Sequence, residues 1–171
     1  MTDSPASENF GANAFPSLLG GLNLLVSIGI GLASQTFGVG FWDALFVLAG
    51  AYFIVKGIRY ISQANDIRQT RIRTQELESF PRKGIYKRIR HPVGAAFIYI
   101  NIAFCLLFRS FALISVAAVF GALWFMLARY QDGILLEKFD EKYSEYMTRA
   151  GMFRGKGDLN ERLQDSGYGM Y

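Results

Sequence analysis

Arg90, His91 and Asp132 are the side chains of this sequence best suited to handling charge and protons at one place. Arg90 and His91 stand just before Pro92, which opens an uncharged apolar run to Phe108. Arg129, Gln131 and Asp132 close a second apolar run, from Phe111 to about Tyr130, and only Arg109-Ser110 joins the two runs. If both runs are membrane-crossing helices, they form an antiparallel hairpin. The two polar clusters then return to the same depth, within side-chain reach. Pro92 suits a first helical position, where no donor is needed, and the free N–H groups of a helix start favour an anion. The expectation is a pocket at the membrane boundary, open to a water-soluble cofactor and to a lipid-buried partner. At that surface His91 and Asp132 are the candidates for a base.

The residues left out of the sequence narrow the chemistry. His91 is the single histidine and Cys105 the single cysteine. An internal disulfide and a metal site built from several His and Cys ligands are both excluded, so no metal is expected. Hydrophobic residues make up 51% of the 171 positions and charged ones 19%, with a mean hydropathy of +0.20. Apolar and charged residues must therefore be segregated along the chain. The net charge of +4 fits nucleic acid or anionic lipid equally well as a bare number. Placement decides for lipid: ten of the eighteen Lys and Arg lie between Lys56 and Arg90, and seven more from Arg129 onward.

These bands frame the elements that must position the candidate site. Residues 1–14 read as a flexible tail, and the first sixteen carry no Lys or Arg, unlike the start of a cleaved signal peptide. Four spans are expected, at about 15–38, 39–61, 92–108 and 111–130, because a crossing needs about 20 apolar residues, and the third run stands at the lower limit of about 17. In the first, Gly20, Gly21, Gly29 and Gly31 read as a packing face. A dinucleotide loop at Gly29–Ser34 lacks its third glycine and any strand before it. Asp43 falls near the start of the second span, and Lys56 and Arg59 mark its exit and can snorkel. A polar loop over 62–91 begins as a helical continuation and breaks at Phe80-Pro81-Arg82-Lys83-Gly84. An amphipathic helix is expected over 131–149, with Leu135, Phe139, Tyr143 and Tyr146 at helical spacing, followed by a tail over 151–171.

The expected fold is an all-α membrane protein, four transmembrane helices with a C-terminal cytoplasmic amphipathic helix, forming one domain over 15–150. By the positive-inside rule the 56–90 region and the C-terminal region are cytoplasmic, and four spans put the N-terminus there too. For Arg82, Lys83, Lys87, Arg88 and Arg90, pinning the loop to anionic headgroups is an alternative to binding a ligand.

The string Gly84-Ile85-Tyr86-Lys87-Arg88-Ile89-Arg90-His91-Pro92 resembles the G-x-Y-x-x-x-R-H-P signature of a membrane methyltransferase superfamily. That group includes isoprenylcysteine carboxyl methyltransferases and phospholipid N-methyltransferases. A second stretch, Leu135 to Tyr146, resembles the family helix L-x-x-x-F-G-x-x-Y-x-x-Y, and the likeness spans roughly Phe80 to Phe153. It implies S-adenosylmethionine as cofactor, bound at the cytoplasmic membrane surface around Gly84, Tyr86, Arg90 and His91, with Asp132 in the polar wall. It implies transfer of a methyl group to a lipid, prenylated or other membrane-embedded acceptor. The sequence departs from the pattern at Gly94 and Ala96, where tyrosine and glycine are usual. Gln131 and Asp132 stand where glutamates are usual, Asp140 replaces a glycine, and a proline expected near Phe153 is absent. These departures motivate the alternative of a catalytically inactive subunit bound to a partner membrane protein. A resemblance to membrane sterol reductases, through the R-H-P stretch alone, ranks last because the chain is short for one.

Overall fold

A computed structural model of the chain describes residues 6–36, 40–67 and 82–155. Among these the structure is all-helical: α1 (Ala6–Ser34), α2 (Phe41–Ile67), a single 3-10 turn (Gly84–Lys87), α3 (Pro92–Phe108) and α4 (Phe111–Arg149). Much of the loop expected after α2 and most of the C-terminal tail lie outside the described residues.

Three helices are long and apolar enough to cross a membrane, within Phe15–Ser34, Phe41–Asn65 and Phe111–Arg149. Their outer faces carry Leu18, Leu25, Phe41, Trp42, Leu48, Phe111 and Met126, all exposed. Large side chains of this kind are costly in water and at home in lipid. α3 is apolar but has 17 residues, about 26 Å at 1.5 Å per residue, against a hydrocarbon core of roughly 30 Å.

Two expected boundaries move. α1 begins at Ala6, inside the stretch expected to be a flexible tail, and helix runs through Pro16; Ala, Glu and Asn before it do not oppose helix once the span is nucleated. α4 does not end near Tyr130 with a separate helix over 131–149. It continues unbroken past Gln131 and Asp132 and breaks at Asp140, whose φ of 43° and ψ of −121° are non-helical. Glycine reaches such angles freely and other residues rarely do.

α3 is the central element, packed against the other three helices. On α2, Gly50 and Gly57 admit it closely. A Cβ on Gly57 would lie 3.0 Å from the Ala96 carbonyl oxygen, and one on Gly50 would lie 2.7 Å from Leu107. Of the four α1 glycines expected to form a packing face, Gly20 and Gly31 receive the rings of Phe97 and Phe108, while Gly21 and Gly29 face open space. The core between α1, α3 and α4 is Leu19, Phe97, Phe120 and Trp124, with Phe97 stacked on Trp124 at 4.8 Å. Beside it Ser27 bridges Asn23 and Asn101, all three buried. Such side-chain bonds tie helices together where burial of apolar surface gives no drive.

The hairpin turn at the end away from His91 is fastened by Arg109, in the left-handed region at φ 48°. Thr36 donates its backbone N–H to Phe108 and its hydroxyl to the Arg109 carbonyl. Ser34 and Ser110 share a hydrogen bond, and Arg109 pairs with Asp43. Asp43 is therefore a structural partner of the turn between α3 and α4.

Candidate functional site

The hairpin brings Arg90, His91 and Asp132 together. Arg90 Nη1 donates to Asp132 Oδ2 at 2.8 Å, and His91 Nε2 lies 2.7 Å from Asp132 Oδ1. Side-chain exposures of 9%, 10% and 6% place all three out of water. A buried guanidinium–carboxylate pair is tolerable because each charge cancels the other and the geometry supplies direct hydrogen bonds.

A third donor comes from beyond the break at Asp140. Tyr143 donates its hydroxyl to Asp132 Oδ1 at 2.6 Å. On an unbroken helix the eleven residues from Asp132 to Tyr143 would span about 16 Å. The break at Asp140 turns the last segment back, so that Tyr143 packs on Leu135 with Phe139, Tyr146 and Met147 around them. Tyr146 then donates its hydroxyl to the Tyr86 carbonyl at 2.5 Å. This bond ties the segment to the 3-10 turn, which opens at Gly84 with φ 56°.

Below the hydrogen bonds, the chain after α4 straps the approach to α3. Arg90 donates its backbone N–H to Gly151, His91 to Met152, and Gly151 to Arg88. This is a parallel bridge between Ile89 and Gly151. The strap delivers Phe153, whose ring is 6.4 Å from that of His91. A Cβ on Gly94 would come within 2.8 Å of the Phe153 ring. Gly94, where the resembled pattern has tyrosine, thus leaves the space that Phe153 fills.

Burial by itself would raise the Asp132 pKa. The hydrogen bond and charge of His91, the Tyr143 hydroxyl and the Arg90 charge outweigh it, and the carboxyl sits below its ordinary value. The Tyr143 phenol is pushed far up, first by burial and then by its bond to the Asp132 carboxylate. Burial also raises Tyr146. Asp132 is therefore an ionised acceptor already engaged by three donors, and it orients its neighbours. Because a carboxylate only accepts, His91 presents Nε2–H to it. In the neutral ring Nδ1 is then left as the acceptor.

The site also offers donors that the chain itself does not use. Arg90 Nε is buried with no hydrogen-bond partner among the described residues. His91 gives α3 no side-chain cap, and Pro92 at the first position has no N–H. A buried guanidinium N–H without an acceptor is costly unless a ligand supplies one. Arg90 Nε, with the first-turn N–H groups of α3 that no side chain caps, fits a ligand carboxylate.

Of the residues singled out from sequence, Arg90, His91 and Asp132 meet directly, and Tyr86 joins through Tyr146. Gly84 supplies a backbone conformation. Gln131 makes none of these bonds, and Arg129 is exposed. Tyr143 and Tyr146 are legible as motif positions and Phe153 only as the edge of the resemblance, and nothing in their spacing assigns them to the Asp132 cluster.

The model of the isoprenylcysteine carboxyl methyltransferase (ICMT) family matches residues 44–133, just over half of the chain. The match takes in Arg90, His91 and Asp132 and stops before Tyr143. Neither a curated protein nor a solved structure matches the chain.

Proposed function

Because the chain belongs to the isoprenylcysteine carboxyl methyltransferase family, a family of membrane methyltransferases, we propose that it transfers a methyl group from S-adenosylmethionine to a lipid, prenylated or other membrane-embedded acceptor. In this reading all four helices cross or enter the bilayer. Both ends and the Arg90–Asp132 cluster face the cytoplasm, where seventeen of the eighteen Lys and Arg lie.

The observation that carries the reading is the buried meeting of Arg90, His91 and Asp132 at one end of an apolar helix hairpin, with Arg90 Nε unpaired among the described residues. Arg90 and the start of α3 hold the carboxylate of the cofactor. S-adenosylmethionine supplies, when bound, a methyl group on a sulfonium centre open to in-line displacement. Asp132 and Tyr143 keep Arg90 and His91 in place, so positioning is already built before any ligand arrives. His91 Nδ1 is the acceptor for a proton on the incoming nucleophile or for a donor on the ligand. Phe153 and Trp124 exclude water from the apolar side of Gly94. The acceptor reaches this surface from the lipid.

The test is transfer of tritiated methyl from S-adenosylmethionine into lipid-extractable material by membranes carrying the protein. Labelling is expected with the natural chain, and a loss of about a hundredfold with His91→Ala, the scale of a positioned proton-handling group. Unlabelled lipid and protein from folded natural chain would contradict the proposal. Equal labelling by the variant would remove His91 from it.

A further inference from the structure

The seam between α2 and α3 carries a second polar site, remote from Asp132 in contacts and built on different residues. Tyr52, Lys56 and Tyr60 recur at i, i+4 and i+8 on α2 and so share one helix face. Lys56 Nζ lies 4.3 Å from the ring centroid of Tyr99 on α3 and 5.8 Å from that of Tyr52. Tyr99 is itself held by Phe53, stacked at 5.9 Å, and by Tyr60, edge-on at 5.4 Å. The ammonium is thereby drawn sideways against aromatic faces.

Charge is not balanced there. No ion pair joins Lys56 to a carboxylate among the described residues. α3 contains no acid. Asp43, at the opposite end of α2, is taken by Arg109. Aromatic faces and a hydrogen bond to Tyr99 satisfy one side of the ammonium and leave its remaining N–H groups in need of acceptors. In surroundings of low dielectric an uncompensated cation is expensive. Tyr52 is 60% exposed, so the site opens outward toward lipid.

We propose that Lys56, Tyr60 and Tyr99 form a binding site for the phosphate of an anionic phospholipid in the leaflet on the basic side of the membrane. The ammonium supplies the charge and the phenol hydroxyls supply further donors. The aromatic rings and the apolar flank of α2 at Tyr52 and Val55, both exposed, lie along the acyl chains. Arg59, one turn from Lys56, adds positive potential near the same surface. This inference stands apart from the cofactor reading.

The test uses the full chain in mild detergent with an equimolar mixture of phosphatidylglycerol and phosphatidylcholine, the retained lipid being counted by native mass spectrometry. The natural chain should retain phosphatidylglycerol with a preference of about fivefold, the scale of one basic side chain near an anionic surface. Lys56→Met should bring the preference to parity at unchanged melting temperature, and Lys56→Arg should keep it. Absence of preference in the natural chain would overturn the proposal without any variant. So would a Lys56→Met protein, folded by its melting, that still prefers phosphatidylglycerol as strongly.

Discussion

Tyr143 hydrogen-bonds Asp132 at 2.6 Å although eleven residues of one helical stretch separate them. That contact exists only because the chain reverses at Asp140, and it makes the last turns of α4 a part of the Arg90–His91–Asp132 cluster. Removing the hydroxyl while keeping the ring, as in Tyr143→Phe, takes one donor from a buried carboxylate. A loss of about 1.5–3 kcal/mol is expected for a bond to a charged group, read by thermal or denaturant unfolding in detergent. Asp132→Ala strands the Arg90 charge and should cost more, about 3–5 kcal/mol.

Asp140 sustains the reversal at φ 43° and ψ −121°. A residue held in a conformation open mainly to glycine carries strain of about 1–3 kcal/mol. Asp140→Gly should therefore raise the melting temperature, less the entropy glycine loses on folding. Asp140→Val, β-branched, should lower it. An unstable Asp140→Gly protein would mean that the side chain, and not the backbone, is what matters at this position.

How much of this was legible in the sequence follows from the kind of signal each feature leaves. The Arg109-Ser110 turn between two apolar runs determines that residues 90–92 and 129–132 return to one level, so the sequence alone groups Arg90, His91 and Asp132. Periodicity does not place the break, because Leu135, Phe139, Tyr143 and Tyr146 keep helical spacing on both sides of it; its one trace is Asp140, a turn-compatible residue standing where the resembled pattern has glycine. Tyr143 and Tyr146 read as a continuation of the Leu135 stripe, whereas they fold back upon it. The strap of Gly151 and Met152 uses backbone groups, which leave no side-chain pattern. Gly50 and Gly57 were hidden among ordinary span residues, since only the approach of α3 makes their lack of a Cβ matter.

The glycines give a paired prediction. Gly57→Ala puts a methyl group about 3.0 Å from the Ala96 carbonyl and 2.9 Å from Ile100, and should destabilise the α2–α3 contact by about 1–3 kcal/mol. Gly21→Ala meets no neighbour within 4 Å and should be neutral or stabilising, by up to about 1 kcal/mol of helix propensity. Melting temperatures of the two variants in one detergent make the comparison. Equal effects would contradict the close approach.

The pKa shifts define a stability plateau with two edges. The folded Asp132 pKa lies below its ordinary 3.8, so its contribution is present above about that value and is lost as pH falls through the lower folded one. The Tyr143 pKa is raised above 10.0, so its contribution is present below that value and declines as pH rises beyond it. Melting temperature against pH should fall at both ends. Tyr143→Phe should flatten the alkaline edge and Asp132→Asn the acid edge. Unchanged edges in both variants would remove these two groups from the account.

The most direct measurement is binding of S-adenosylhomocysteine to the detergent-purified chain, by calorimetry, with Arg90→Gln alongside. The account predicts micromolar binding by the natural protein and a loss of about tenfold or more in the variant, the worth of one charge-assisted hydrogen bond. No binding by natural protein shown to be folded would contradict it, as would a variant that binds equally well.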